Sequence, residues 1–128
     1  MVVIDTSVII DHLRQKGRVE TGLDVLWRSP HGEDPAVSVI TIQELFRGTS
    51  TRHPEIEIAV EETIAGMVKL TLTETIARQA GKLMRDRKPR IEFADAAIAA
   101  TTLEHRAKLL TLNTKDFAGI PGLEFLKL

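Results

Sequence analysis

Five short, mostly apolar runs constrain this chain more than any other feature: Val2 to Ile4, Val37 to Ile40, Met67 to Leu70, Leu109 to Leu112 and Leu123 to Leu126. A strand with one wet face alternates apolar and polar residues, whereas unbroken runs belong to strands covered on both faces of a parallel sheet. Helical spacing fills the intervals, at Ser7 to Arg14, Val19 to Arg28, Thr41 to Arg47, Ile56 to Ala65, Thr73 to Arg87 and Glu92 to Arg106. Gly17 separates the first two, Gly48 is expected to close the third in a left-handed conformation, Pro54 opens the fourth and Pro89 follows the fifth. The last is rich in alanine, which permits close packing on a sheet. Strands alternating with helices predict an α/β fold with helices on both faces of a parallel sheet. With 128 residues the chain is expected to form one domain, residues 1–128, with no room for a second domain with its own core. Ser29 to Pro35 is the expected surface loop.

In open parallel sheets, ligands bind beyond the carboxyl ends of the strands. Four acids fall there: Asp5 directly after the first run, Glu44 soon after the second, Asp95 near the start of the alanine-rich helix, and Asp116 after the fourth run. Each has a structural reading. Thr41-Ile42-Gln43-Glu44 matches a capping box, Asp5 and Asp116 stand where caps do, and Asp95 suits the positive end of a helix dipole. Jointly they say more, because the topology would bring them to one end of one sheet. Clustered carboxylates repel and must take up protons or a cation. Oxygen ligands without Cys or spaced His suit Mg²⁺ or Mn²⁺ rather than Zn²⁺, and Mg²⁺ takes only one or two direct carboxylates. Phosphodiester hydrolysis is the chemistry such a site performs.

The blocks Val2-Val3-Ile4-Asp5-Thr6-Ser7, Thr41-x-x-Glu44-Leu45-x-x-Gly48, Asp95-Ala96-Ala97-Ile98-Ala99-Ala100-Thr101 and Leu110-Thr111-Leu112-Asn113-Thr114-Lys115-Asp116-Phe117 resemble the PIN-domain ribonucleases. Within these the chain is most similar to the VapC toxins of toxin-antitoxin pairs. The resemblance implies a three-layer α/β/α sandwich around a parallel sheet and a Mg²⁺-dependent endoribonuclease, with Mn²⁺ as a substitute. It also implies a homodimer and inhibition by a cognate VapB-type antitoxin. Asp5 and Asp95 would be the direct metal ligands, with Glu44 and Asp116 completing the catalytic cluster. Relatives carry the fourth acid either where this chain has Asn113 or where it has Asp116. Thr6, Ser7 and Thr111 match small hydroxyl positions beside the site.

Lys and Arg number 17 against 18 Asp and Glu, a formal net charge of −1, which excludes tight nucleic-acid binding by bulk charge. Setting the four acids aside leaves +3, a mildly basic surround. Its densest segment, Arg85-Asp86-Arg87-Lys88-Pro89-Arg90, offers Arg85, Arg87, Lys88 and Arg90 as RNA phosphate contacts, or as a solvated helix end. Arg14, Lys16 and Arg18 form a weaker basic group. Aromatic residues are only 4%, which argues against base stacking as the main source of affinity. The four histidines, His12, His31, His53 and His105, lack ligand spacing and read as ordinary residues. With no cysteine, no run long enough to span a membrane and no leader-like start, a soluble cytoplasmic protein is expected.

Three other classes compete. An aspartate-nucleophile phosphatase needs a second Asp where Ser7 stands. A phospho-accepting receiver domain needs its acceptor after the third strand, where the chain runs Leu70-Thr71-Leu72-Thr73. A PIN-like module that binds RNA or protein without cutting is the remaining alternative; acids in all four blocks favour the enzyme.

Overall fold

The apolar runs form one five-stranded parallel sheet, β1 (Val2–Ile4), β2 (Pro35–Ser38), β3 (Val68–Leu70), β4 (Lys108–Leu110) and β5 (Glu124–Phe125), in the order β3-β2-β1-β4-β5. The computed structural model describes residues 1–28 and 32–128; Ser29, Pro30 and His31 of the expected Ser29 to Pro35 loop lie outside the described residues, and Pro35 begins β2. Among the described residues six helices flank the sheet: α1 (Thr6–Gln15), α2 (Gly22–Arg28), α3 (Val39–Arg47), α4 (Pro54–Ala65), α5 (Glu74–Asp86) and α6 (Phe93–Glu104). Short 3-10 turns follow α3, at Thr49–Arg52, and β4, at Thr114–Phe117.

Period-two alternation divides the strand side chains between two cores. Val3, Ala36 and Leu109 face α5 and α6, meeting Ile76, Ala80, Ala96, Ala99 and Ala100 together with Phe117. Val2, Ile4, Val37 and Leu110 face the other way, onto Val8, Ile9, Leu23, Leu26, Leu45, Val60 and Ile64 of α1 to α4. The result is the expected three-layer α/β/α sandwich. Helix α6 is buried along most of its length, and its small side chains let it lie close to β1 and β4. Its buried Thr101 and Thr102 hydroxyls donate back to the Ala97 and Ile98 carbonyls at 2.7 and 2.8 Å, which satisfies them without any partner outside the helix.

Two local expectations are corrected. The second strand ends at Ser38 rather than Ile40, because the Ser38 hydroxyl accepts the Ile40 N–H at 3.1 Å and starts α3 at Val39. Gly48 ends α3 in an extended conformation, φ −63° and ψ 134°, not a left-handed one. Gly17, at φ 78°, does adopt the left-handed conformation that glycine tolerates best, and turns the chain between α1 and α2.

Candidate active site

The chain runs outward from β1 through β2 to β3, then returns to the other side of β1 as β4. Crossovers from β1 and β4 therefore leave the sheet on different paths, and the carboxyl ends of these neighbouring strands border a crevice. Asp5 is the first residue beyond β1, and its N–H donates to the Leu110 carbonyl at the end of β4, 2.9 Å away. That bond fixes its backbone across the switch point.

Asp5 is 4% exposed and occupies the N-cap position of α1, yet its side chain makes no capping bond. Its Oδ2 instead accepts two hydroxyls, Ser7 Oγ at 2.7 Å and Thr111 Oγ1 at 2.7 Å. Ser7 Oγ and Thr111 Oγ1 in turn accept the Leu112 and Asn113 N–H groups, so the loop after β4 is tied to the same carboxylate. Oδ1 has no side-chain donor among the described residues.

Glu44 does not close a capping box. The N-cap of α3 is Ser38, which places Thr41 inside the helix and Glu44 a turn further on. Its Oε1 accepts Thr6 Oγ1 at 2.7 Å. Thr6 and the fully buried Thr41 have hydroxyl oxygens 3.0 Å apart. A hydroxyl has one proton, and the carboxylate is the stronger acceptor, so Thr41 donates to Thr6 and Thr6 donates to Glu44. This relay through Thr41 has no independent sequence signal, because the capping-box pattern accounts for the same two residues.

Asp95 stands in the first turn of α6, whose N-cap Glu92 makes no side-chain cap. Its pKa is raised from 3.8 to about 6, first by desolvation, then by the negative charges of Asp5, Asp116, Glu44 and Glu92. The three other predicted acids thus all act on Asp95, and Glu92 joins them as a further acid that the sequence reading missed. Asp116 lies in the Thr114–Phe117 turn and is exposed. Asp95 and Asp116 border a cleft of about 210 Å³ with Arg87, Arg90, Ile91 and Lys115. Asn113, the other candidate for the fourth position, caps that turn without a side-chain bond.

Among the described residues no three His, Asp or Glu side chains close around a cation by themselves. The arrangement suits a hydrated hard cation, which takes one or two carboxylates directly and reaches others through water. Asp5 offers an undonated oxygen, and Asp95 bears charge that only a proton or a cation relieves.

Of the expected RNA contacts, Arg85 is engaged by Asp86, at 2.7 and 2.8 Å. Arg87 donates to the Asp116 and Ala118 carbonyls at 2.7 and 2.8 Å. Lys88 and Arg90 are exposed, and Arg90 lines the cleft. Lys115 on the same wall was not anticipated, although it lies within one of the four blocks.

Fold and site together define an α/β protein with a carboxylate-lined crevice at the carboxyl ends of its strands. The PIN domain family model matches residues 2–123, and the chain belongs to that family. It is 36% identical to Ribonuclease VapC19 of Mycobacterium tuberculosis across 97% of this chain and 98% of the relative. Its identity to Ribonuclease VapC1 of Rickettsia felis is 33%, across 98% and 94%. Among solved structures it resembles a toxin-antitoxin complex from Klebsiella pneumoniae, with a TM-score of 0.74, 28% identity and coverage of 96% and 95%. VapBC2 from Rickettsia felis, bound to a promoter DNA fragment, shares the fold with a TM-score of 0.84, 19% identity and coverage of 100% and 99%.

Proposed function

We propose that this chain is a divalent-metal-dependent endoribonuclease and the toxin of a VapBC-type toxin-antitoxin pair, with residues 1–128 acting as one domain. The observation that carries the reading is the negative charge that Asp5, Glu44 and Asp116, from three other segments of the chain, bring to bear on the half-buried Asp95. Asp5 and Asp95 would hold Mg²⁺, with Mn²⁺ as a substitute, and Glu44 and Asp116 would act through water. The chemistry such an ion supplies is Lewis-acid activation of phosphate and water. Ser7 and Thr111 hold the Asp5 carboxylate in one orientation, and the Thr41-Thr6 relay does the same for Glu44. Lys88, Arg90 and Lys115 supply the basic surround for RNA phosphates.

The VapB-type antitoxin and the second copy of a homodimer are the protein partners this reading implies, and the cytoplasm is where RNA and antitoxin would meet it. A groove of about 460 Å³, lined by Ile10, Leu13, Leu45, Ile56 and Val60, reaches Glu44, so a segment seated there would border the acids. No helix among the described residues is long and apolar enough to cross a membrane.

The test is cleavage of a labelled RNA pool by the purified protein with Mg²⁺ or Mn²⁺. Cleavage should vanish with a chelator and in Asp5→Asn. Undiminished cleavage in that variant, or none in the wild type with metal, would sink the reading.

A further inference from the structure

The sequence suggests Arg87 as a phosphate contact, but its side chain is already committed. Its backbone N–H closes the end of α5 on the Leu83 carbonyl at 3.0 Å, which seats the residue firmly. From there Nη1 donates to the Asp116 carbonyl at 2.7 Å and Nη2 to the Ala118 carbonyl at 2.8 Å, across 29 and 31 residues of sequence. A planar guanidinium that holds two carbonyls fixes the orientation of the peptide units as well as their distance. The segment it grips is the exposed turn that carries Asp116, otherwise anchored in the core by Phe117. Arg87, Asp95 and Asp116 line the same cleft.

We propose that Arg87 is a positioning residue for the cleavage reaction: it clamps the Asp116 turn to the end of α5 and so holds the Asp116 carboxylate beside Asp95. This rests on the reading that Asp116 belongs to the nuclease site. Lysine keeps the charge but replaces a rigid fork with a single mobile ammonium, so it should not restore the clamp. A phosphate contact would behave oppositely, since lysine binds phosphate well as a point charge.

The experiment compares wild type, Arg87→Met, Arg87→Lys, Asp116→Asn and the Arg87→Met/Asp116→Asn double variant. Steady-state cleavage is measured at several salt concentrations, with amide hydrogen exchange run in parallel. Both Arg87 variants should lose about 10- to 100-fold in kcat with little change in KM, the scale expected of a misplaced catalytic group. Amides of residues 114–118 should exchange faster while those of the sheet keep their protection. In the Asp116→Asn background the Arg87→Met change should add almost nothing, because both act through one group. If Arg87→Met fails to fold, Arg87→Lys and its exchange pattern carry the test. Wild-type kcat in Arg87→Lys overturns the proposal, as does a raised KM whose salt slope falls by about 0.7, the mark of one lost phosphate contact. If Asp116→Asn cleaves normally, the assignment of Asp116 to the site fails and the clamp's role with it. If Asp116→Asn is impaired and the Arg87 variants are not, the clamp alone is refuted.

Discussion

Replacing Asp95 by Asn should abolish cleavage and yet stabilise the metal-free protein near neutral pH. The Asp95 pKa rises from 3.8 to about 6 because burial and four neighbouring carboxylates disfavour its charge. Between those values the folded protein binds more protons than the unfolded chain, so stability falls as pH rises across the window, and the penalty is complete above its upper end. A shift of about 2 units corresponds to ~3 kcal/mol before correction. Because Asp95 is partly open to water, screening leaves roughly half of this, about 1.5 kcal/mol. Removing a negative charge from the first turn of α6 forfeits about 0.5 kcal/mol of favourable dipole interaction. The net gain is therefore ~1 kcal/mol, or about 4 °C in Tm for a domain of this size. Scanning calorimetry in chelator should show that gain near pH 7.5, shrinking to about a third at pH 4.5, where the wild-type carboxyl is largely protonated. Mg²⁺ should raise the wild-type Tm and leave that of the variant nearly unchanged. A lower Tm for Asp95→Asn near neutrality, or a gain independent of pH, would refute the crowded-acid reasoning.

Three further outcomes follow from the same geometry. Thr111→Val keeps the side-chain shape but removes one of the two hydroxyls on Asp5 Oδ2; calorimetric titration should find Mn²⁺ affinity lowered by about 10-fold, as for other outer-shell partners of metal ligands. Because a cation displaces the proton from Asp95, wild-type Mg²⁺ affinity should rise with pH up to about 6 and then level off, whereas affinity flat between about pH 5 and 7 would separate Asp95 from the ion. Strong expression of the wild type alone should arrest growth, and Asp5→Asn should not; equal arrest by both would tie toxicity to something other than the site.

The central strands β1, β2 and β4 were legible because the sheet buries both of their faces, and the acids because every strand points the same way. Boundaries were less so. Val39 and Ile40 extend an apolar run, and nothing in their hydrophobicity distinguishes the end of a buried strand from the start of a buried helix. The Ser38 hydroxyl settles it by capping α3. That shift also removed the capping box and freed Glu44 for the site. Arg87 was legible as a cation but not as a clamp, since its acceptors are main-chain carbonyls, which every residue carries. Glu92 was missed because its effect on Asp95 comes from the fold at the start of α6, where no sequence motif requires it.

The structure also explains why Asp95, among the four predicted acids, bears the charge conflict. Asp5 is deeply buried but receives two hydroxyl protons, and Glu44 receives one from Thr6. Asp116 is exposed, so water screens it. Asp95 is half-buried, faces the others, and has no side-chain donor lowering its pKa. Hydrogen bonds to a carboxylate favour its charged form, and burial without them favours the proton. Burial and the neighbouring charges therefore disfavour the ionised form of Asp95. In the proposed reading that side chain would exchange a proton for a cation near pH 6, at the cleft it shares with Asp116.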